Sequence, residues 1–299
     1  MEKTRDIKGF KEYKTNMRAV TDGVNLLARH AGMLLKACGP LMLVVSLVWA
    51  WTSLSMLSAV NQFMTTDISV TGFPTQFVVP AVLQTLLGVV ALAQFYSLFQ
   101  GYVENGFIPQ VNYKSIWKLT LQTLKRNTLI VWLWLVFVAV LFSAIVFYLA
   151  VLSEYTLILT IPMNIFLSLW VLNLLADFHV QDCSLMRSIS RSMRTTFQGF
   201  FSFLVVYIGL NIVLTLLVSI ILVPGMVGSI ISVQASLSLA MEDAADMPGY
   251  FNATFFIFST ISGFLLIVLS AFALSCWTML YGAVSCRNSK KFQSLSQKD

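Results

Sequence analysis

Residues 177–201 read DFHVQDCSLMRSISRSMRTTFQGFF. On a helical wheel Met186, Ile189, Met193 and Phe197 fall in one narrow apolar stripe, because residues three and four apart share a face. Arg187, Arg191 and Arg194 form a second stripe along its edge, while Ser184, Ser188, Ser192 and Thr195 face away. That is the pattern of a helix lying in a membrane surface, its apolar side in the acyl boundary and its guanidiniums among lipid phosphates. Long hydrophobic stretches flank it on both sides. The segment therefore predicts an all-α, polytopic membrane fold.

Composition agrees. Of 299 residues, 58% are hydrophobic and 11% charged, against a usual charged share of about 25%. Runs of about twenty predominantly apolar residues suit a bilayer core and exclude an ordinary soluble domain. The net charge of +6 raises nucleic acid as a partner. The placement of the basic residues beside apolar spans argues for anionic lipid instead. No short apolar h-region with a small-residue cleavage site opens the chain, so the first span is expected to act as an uncleaved insertion signal. Cys38, Cys183, Cys276 and Cys286 all fall in spans or on the expected cytoplasmic side, so no disulfide is expected.

Outward from the opening stretch, the pattern recurs twice. Residues 1–37 form a solvated arm and a first interfacial helix. Val20, Val24, Leu27, Ala31 and Leu34 lie on one face of it, and Arg18, Asp22, Arg29 and Lys36 on the other. Arg18 and Asp22 are an i,i+4 pair of opposite charge. Gly39-Pro40 is expected to break this helix. At 113–126, Tyr113, Ile116, Trp117, Leu121 and Leu124 make a stripe beside Lys114, Lys118 and Lys125, a second interfacial helix. The third spans 183–198, with Asp182 as N-cap. Spans are expected at 40–60, 77–102, 129–152, 155–176, 200–223 and 255–282 within a membrane domain of 38–285, and 286–299 is a basic tail. Pro224-Gly225 ends or kinks the fifth span, and a further helical piece at 226–241 leads into the acidic residues Glu242, Asp243 and Asp246.

All nineteen Lys and Arg fall in the arm, the interfacial helices or the tail, and the alternate loops carry only acidic charge. The positive-inside rule then puts both termini and all three interfacial helices in the cytoplasm. The chain reads as three units, each an interfacial helix followed by a transmembrane hairpin. Lys118 and Lys125 repeat the spacing of Arg187 and Arg194. An ancestral repeat, of the kind common in transporters, and the shared demands of entering the cytoplasmic interface explain this equally well.

Residues 182–204 carry Asp182, Ser184, Arg187, Ser188 and Arg191 ahead of a new span. This resembles a broad group of bacterial six-span proteins. The group includes the membrane domain that precedes the catalytic domain of some glycerophosphodiester phosphodiesterases. The resemblance implies a six-span architecture and a bacterial inner-membrane address. No soluble segment of this chain is long enough for the phosphodiesterase domain.

Ionisable groups at membrane depth are functional candidates. Glu104 and Asp177 each end the second span of a hairpin, and pairing with the following basic helix is favoured over a gated cytoplasmic mouth. Asn173 and Asp177 share a helix face as i,i+4 neighbours, whereas Asn164 faces elsewhere and Pro162 can free a carbonyl. With Gln84, Gln94 and Asn211 they could line a polar path. Interhelical hydrogen bonding, at about 0.6–2 kcal/mol each, is the favoured reading. Ser259 with Gly263, and Ala271 with Ser275, are small-residue pairs for close helix packing. His30 and His179 lack partners at metal spacing, so no metal or other cofactor is expected. Asn252-Ala253-Thr254 matches a glycosylation sequon by chance. No phosphate loop, nucleophile elbow or zinc motif is present.

These readings predict a non-enzymatic accessory or scaffold component of an envelope complex or of lipid homeostasis. It would bind anionic lipid through Arg187, Arg191, Arg194, Lys114, Lys118 and Lys125, with a membrane-protein partner or a second copy of itself. The alternative is a small secondary transporter whose polar path is Gln84, Asn173, Asp177 and Asn211.

Overall fold

Without water to satisfy backbone N–H and C=O groups, apolar runs of this length close their hydrogen bonds internally and become helices. The computed structural model describes residues 14–65, 75–105, 113–124, 160–181, 184–240 and 248–296. Their regular structure is helical: α1 (Asn16–Thr65), α2 (Thr75–Asn105), α3 (Tyr113–Thr123), α4 (Thr160–Gln181), α5 (Leu185–Gln198), α6 (Phe200–Ala240) and α7 (Phe251–Ser296). Among them α1, α2, α4, α6 and α7 are long and apolar enough to cross a membrane. The chain is a multi-pass membrane protein on that basis. The expected span at 129–152 and the acidic cluster at 242–246 lie outside the described residues.

The break expected at Gly39-Pro40 is absent, and the helix expected to end or kink at Pro224 does not end there. α1 runs unbroken through Pro40, and α6 through Pro224. Proline removes one N–H and crowds the preceding turn. In α1 the buried Gln94 of α2 donates its Nε2 amide to the Ala37 carbonyl at 3.2 Å. A neighbouring helix thus supplies a donor to the weakened turn, which is how membrane helices tolerate proline.

Contacts divide the chain into two compact units. One comprises Met1–Ala37, Leu92–Asn211 and Phe272–Asp299, the other Cys38–Ala91 and Ile212–Ala271. In the first, the opening of α1 lies against the end of α7. Ser275 donates to the Gly23 carbonyl at 3.0 Å, and Arg287 bonds Asn16. A Cβ on Gly23 would stand 2.6 Å from the Cys276 Cα, so only glycine permits this approach. The buried face here is Ala19, Gly23, Leu26 and Leu27, and Val24 is exposed. Of the apolar face expected from Val20, Val24, Leu27, Ala31 and Leu34, Leu27 is buried, while Val24 and Ala31 are exposed. Asp22 pairs with Lys14 at 2.7 Å rather than with Arg18.

In the second unit α6 and α7 run antiparallel. Ser262 donates to the Ile221 carbonyl at 2.9 Å, and Gly228 accommodates Phe255, whose ring would be 2.7 Å from a Cβ there. Gly263 seats Trp49 of α1 in the same way, and Ser259 beside it is buried. Along α6, Ile212, Leu216, Ile220, Val223, Val227 and Ile231 are exposed, an apolar strip about 28 Å long. That length matches a hydrocarbon core and exceeds what a water-facing surface tolerates.

Overpacking of this kind costs about 1–3 kcal/mol. Gly23→Leu is expected to lower the unfolding midpoint in detergent, whereas Gly32→Ala, which meets nothing within 4 Å, leaves it level or raises it. A scan in which both variants melt together would contradict the close α1–α7 approach.

Candidate functional site

Asp177 has no accessible surface, yet it lies in the last two turns of a candidate span. Residues 173–180 of α4 are buried on every side, so neither lipid nor water solvates this carboxylate. Placing Asp at the centre of a membrane helix costs about 2.5–3.5 kcal/mol on the insertion scale. Two other helices answer that cost. Tyr281 of α7 donates its phenol to Oδ1 at 2.7 Å, and the Arg191 guanidinium of α5 stands 3.7 Å from the same oxygen. Thr195 bonds the phenol in turn.

One turn earlier on α4, Asn173 is equally buried and doubly bonded. Its Nδ2 donates to Thr196 Oγ1 at 2.9 Å, and it accepts from Trp277 Nε1 at 3.0 Å. Trp170 donates to Ser192 Oγ at 3.1 Å. Aromatic rings close the surroundings: Phe203 and Tyr207 flank Trp277, and Tyr96 stacks on His179 at 4.3 Å. Three helices thus meet through hydrogen bonds whose partners are themselves bonded. Such satisfied networks fix one arrangement, whereas half-satisfied ones weaken a core.

The buried network decides which face of α5 is free. Ser188, Ser192, Thr195 and Thr196 are buried, whereas Ser184, at the head of the expected hydroxyl stripe, is exposed. Small hydroxyl residues let backbones come close and can satisfy themselves on their own helix. Thr196 does so on the Ser192 carbonyl at 2.7 Å. Met186, Met193 and Phe197 are left exposed, as are Arg187 and Arg194, while Arg191 is 40% exposed. Ser184 rather than Asp182 occupies the N-cap position, with φ −65° and ψ 147° and no side-chain capping bond. Asp182 lies outside the described residues. At the other end Gly199 turns the chain into α6 against Val284, whose Cγ1 would lie 2.6 Å from a Cβ.

α3 repeats the arrangement. Ile116 and Thr120 are buried, while Trp117, Leu121 and Lys118 are exposed. Lys114 belongs to α3, and Lys125 lies outside the described residues. The proposed polar path is not assembled by the bonds around Asp177. Asn211 is exposed and donates to the Tyr207 carbonyl of its own helix at 2.8 Å, and Gln84 is half-buried in the other unit. Sequence reasoning missed Trp277 and Tyr281. Their signal was present: two polar aromatics four apart on α7, matching the spacing of Asn173 and Asp177 on α4. Among the described residues no group of three or more His, Cys, Asp or Glu side chains could hold a metal. No family model, curated protein or solved structure matches the chain.

Tyr281→Phe removes the donor to a buried carboxylate and is expected to cost about 1.5–3 kcal/mol of stability. Trp277→Phe, which leaves the Asn173 oxygen unpaired, is expected to cost about 1–3 kcal/mol. Because Tyr281 and Asp177 share one bond, Tyr281→Phe and Asp177→Asn together should destabilise by less than their sum. Additive losses in a detergent unfolding series would disprove the shared bond.

Proposed function

We propose that the protein is a six-span, non-enzymatic component of a bacterial cytoplasmic membrane that holds anionic phospholipid at its cytoplasmic face. It acts there as an accessory or scaffold in an envelope complex or in lipid homeostasis. The observation that carries this reading is the orientation of α5. Its hydroxyl face is buried, so an apolar stripe and two arginines are exposed side by side. A helix with that surface lies in the headgroup layer, its apolar side among acyl chains and its cations beside phosphates. α3 offers Trp117, Leu121 and Lys118 in the same manner.

Helix direction supports a sixth span. Within the first unit α1 is antiparallel to α7, through Asn16 with Arg287 and Gly23 with Ser275. α4 is parallel to α7, through Asn173 with Trp277 and Asp177 with Tyr281. α1 and α4 therefore run in opposite senses, and an even number of crossings separates them. α2 is one, and the apolar stretch at 129–152 supplies the other. The placement of every Lys and Arg supports cytoplasmic termini, and the resemblance of 182–204 to bacterial six-span proteins supports the address.

The commitment of Asn173 and Asp177 to interhelical bonds favours this role over transport. Purification in native-lipid particles, with mass spectrometry of everything retained, tests it. Anionic phospholipid enriched over the bulk membrane is expected, together with a stoichiometric protein partner or a second copy. Asp177→Asn is expected to leave what is retained unchanged. A bound small solute that disappears in Asp177→Asn would favour the transporter and sink the accessory role.

A further inference from the structure

The three arginines of α5 are not equivalent. At 100° per residue, the circumference of α5 runs from the exposed stripe of Met186, Met193 and Phe197 through Ser190, Arg194, Arg187 and Arg191 to the buried hydroxyl face. Arg191 is nearest the buried face, and its guanidinium meets Asp177 at 3.7 Å. Arg187 and Arg194 lie nearer the apolar stripe, and both are exposed. They are two turns apart, about 10 Å along the axis, and the exposed Ser190 lies between them on the same edge. The helix carries no acidic residue.

We propose that Arg187, Ser190 and Arg194 form an edge that takes the phosphodiesters of anionic phospholipids, whose acyl chains run along Met186, Met193 and Phe197. Arg191 is a positioning residue. It neutralises Asp177 and fixes the rotation of α5 on α4, and it takes no headgroup. This rests on the headgroup-binding reading above and sharpens it. A guanidinium suits the task because its planar fork bonds two phosphate oxygens at once. Charge complementarity and the adjoining apolar stripe favour phospholipid over a free anion, since both parts of one molecule are then accommodated.

The test uses the full chain in nanodiscs of phosphatidylcholine containing increasing phosphatidylglycerol. Retained lipid is counted by native mass spectrometry, and stability is read as the unfolding midpoint in phosphatidylcholine alone. Each arginine near the surface contributes roughly a fivefold gain, so Arg187→Gln with Arg194→Gln is expected to weaken phosphatidylglycerol retention about thirtyfold. The midpoint should fall by less than in Arg191→Gln. Arg191→Gln is expected to lower the midpoint and leave retention within about twofold. Arg191→Lys, which keeps the charge if the Gln variant does not assemble, should likewise retain phosphatidylglycerol.

Two results overturn the division of labour: full retention in the Arg187/Arg194 double variant, or loss in Arg191→Lys equal to that of the double. If the double variant is silent but Lys114, Lys118 and Lys125 replaced by Gln abolish retention, headgroup binding stands and this edge falls. A wild-type chain with no preference for phosphatidylglycerol removes both.

Discussion

One carboxylate, Asp177, constrains the first unit more than any other group. A lone charge in an apolar helix is expensive, and breaking a buried pair leaves that expense uncompensated. The bonds that relieve it come from Tyr281 and Arg191, on two different helices. α4, α5 and α7 can therefore meet in only one register. Asn173, one turn away, repeats the requirement with Thr196 and Trp277. Two bonded positions four residues apart set both the rotation and the axial position of each neighbouring helix. Gly199 then brings the start of α6 against Val284, so the junction that follows α5 inherits the same register.

Part of the buried surface exchanges large apolar side chains for small and hydroxyl ones relative to a soluble protein. In water a helix buries its Leu and Phe; in lipid there is no such driving force, because acyl chains are as apolar as Leu. Close packing and hydrogen bonding decide instead. Alongside Leu, Val and Phe, the buried faces of this chain accordingly carry Gly, Ala, Ser and Thr. Gly23 meets Cys276, Gly263 meets Trp49, and Ser188, Ser192, Thr195 and Thr196 lie beneath α5. The large side chains of α6 point outward along a length suited to a bilayer.

That exchange explains which parts of the molecule were legible beforehand. Helix existence followed from long apolar runs, and the α3 and α5 segments followed from periodicity within three residues of their observed ends. Asn173 and Asp177 were visible as a pair because i,i+4 spacing is a local property. Their partners were not, because Trp277 and Tyr281 are 104 residues away and pair only once the helices are assembled. The wheel of α5 named its exposed apolar stripe, but those of α1 and α5 did not name the residues that pack against other helices, Gly23 and Thr196 among them. A wheel ranks residues by hydrophobicity, and membrane helices pack by size and hydrogen-bonding capacity. Pro40 misled in a related way: the helix continues through it, and Gln94, 54 positions later, donates to the Ala37 carbonyl in the turn before it.

By itself the sequence determined the environment. Its apolar run lengths suit a bilayer, and its Lys and Arg are segregated from the acidic loops. It also determined which short segments are amphipathic, since helical periodicity is encoded within a few turns. Only the tertiary structure decided how those surfaces are used. Burial of Asp177 drew Arg191 inward and placed the hydroxyl face of α5 against α4, leaving Arg187 and Arg194 outside. Three arginines within eight residues are chemically identical in sequence. They differ in the folded chain in where they stand: Arg191 borders the buried face and meets Asp177, and Arg187 and Arg194 lie nearer the exposed apolar stripe.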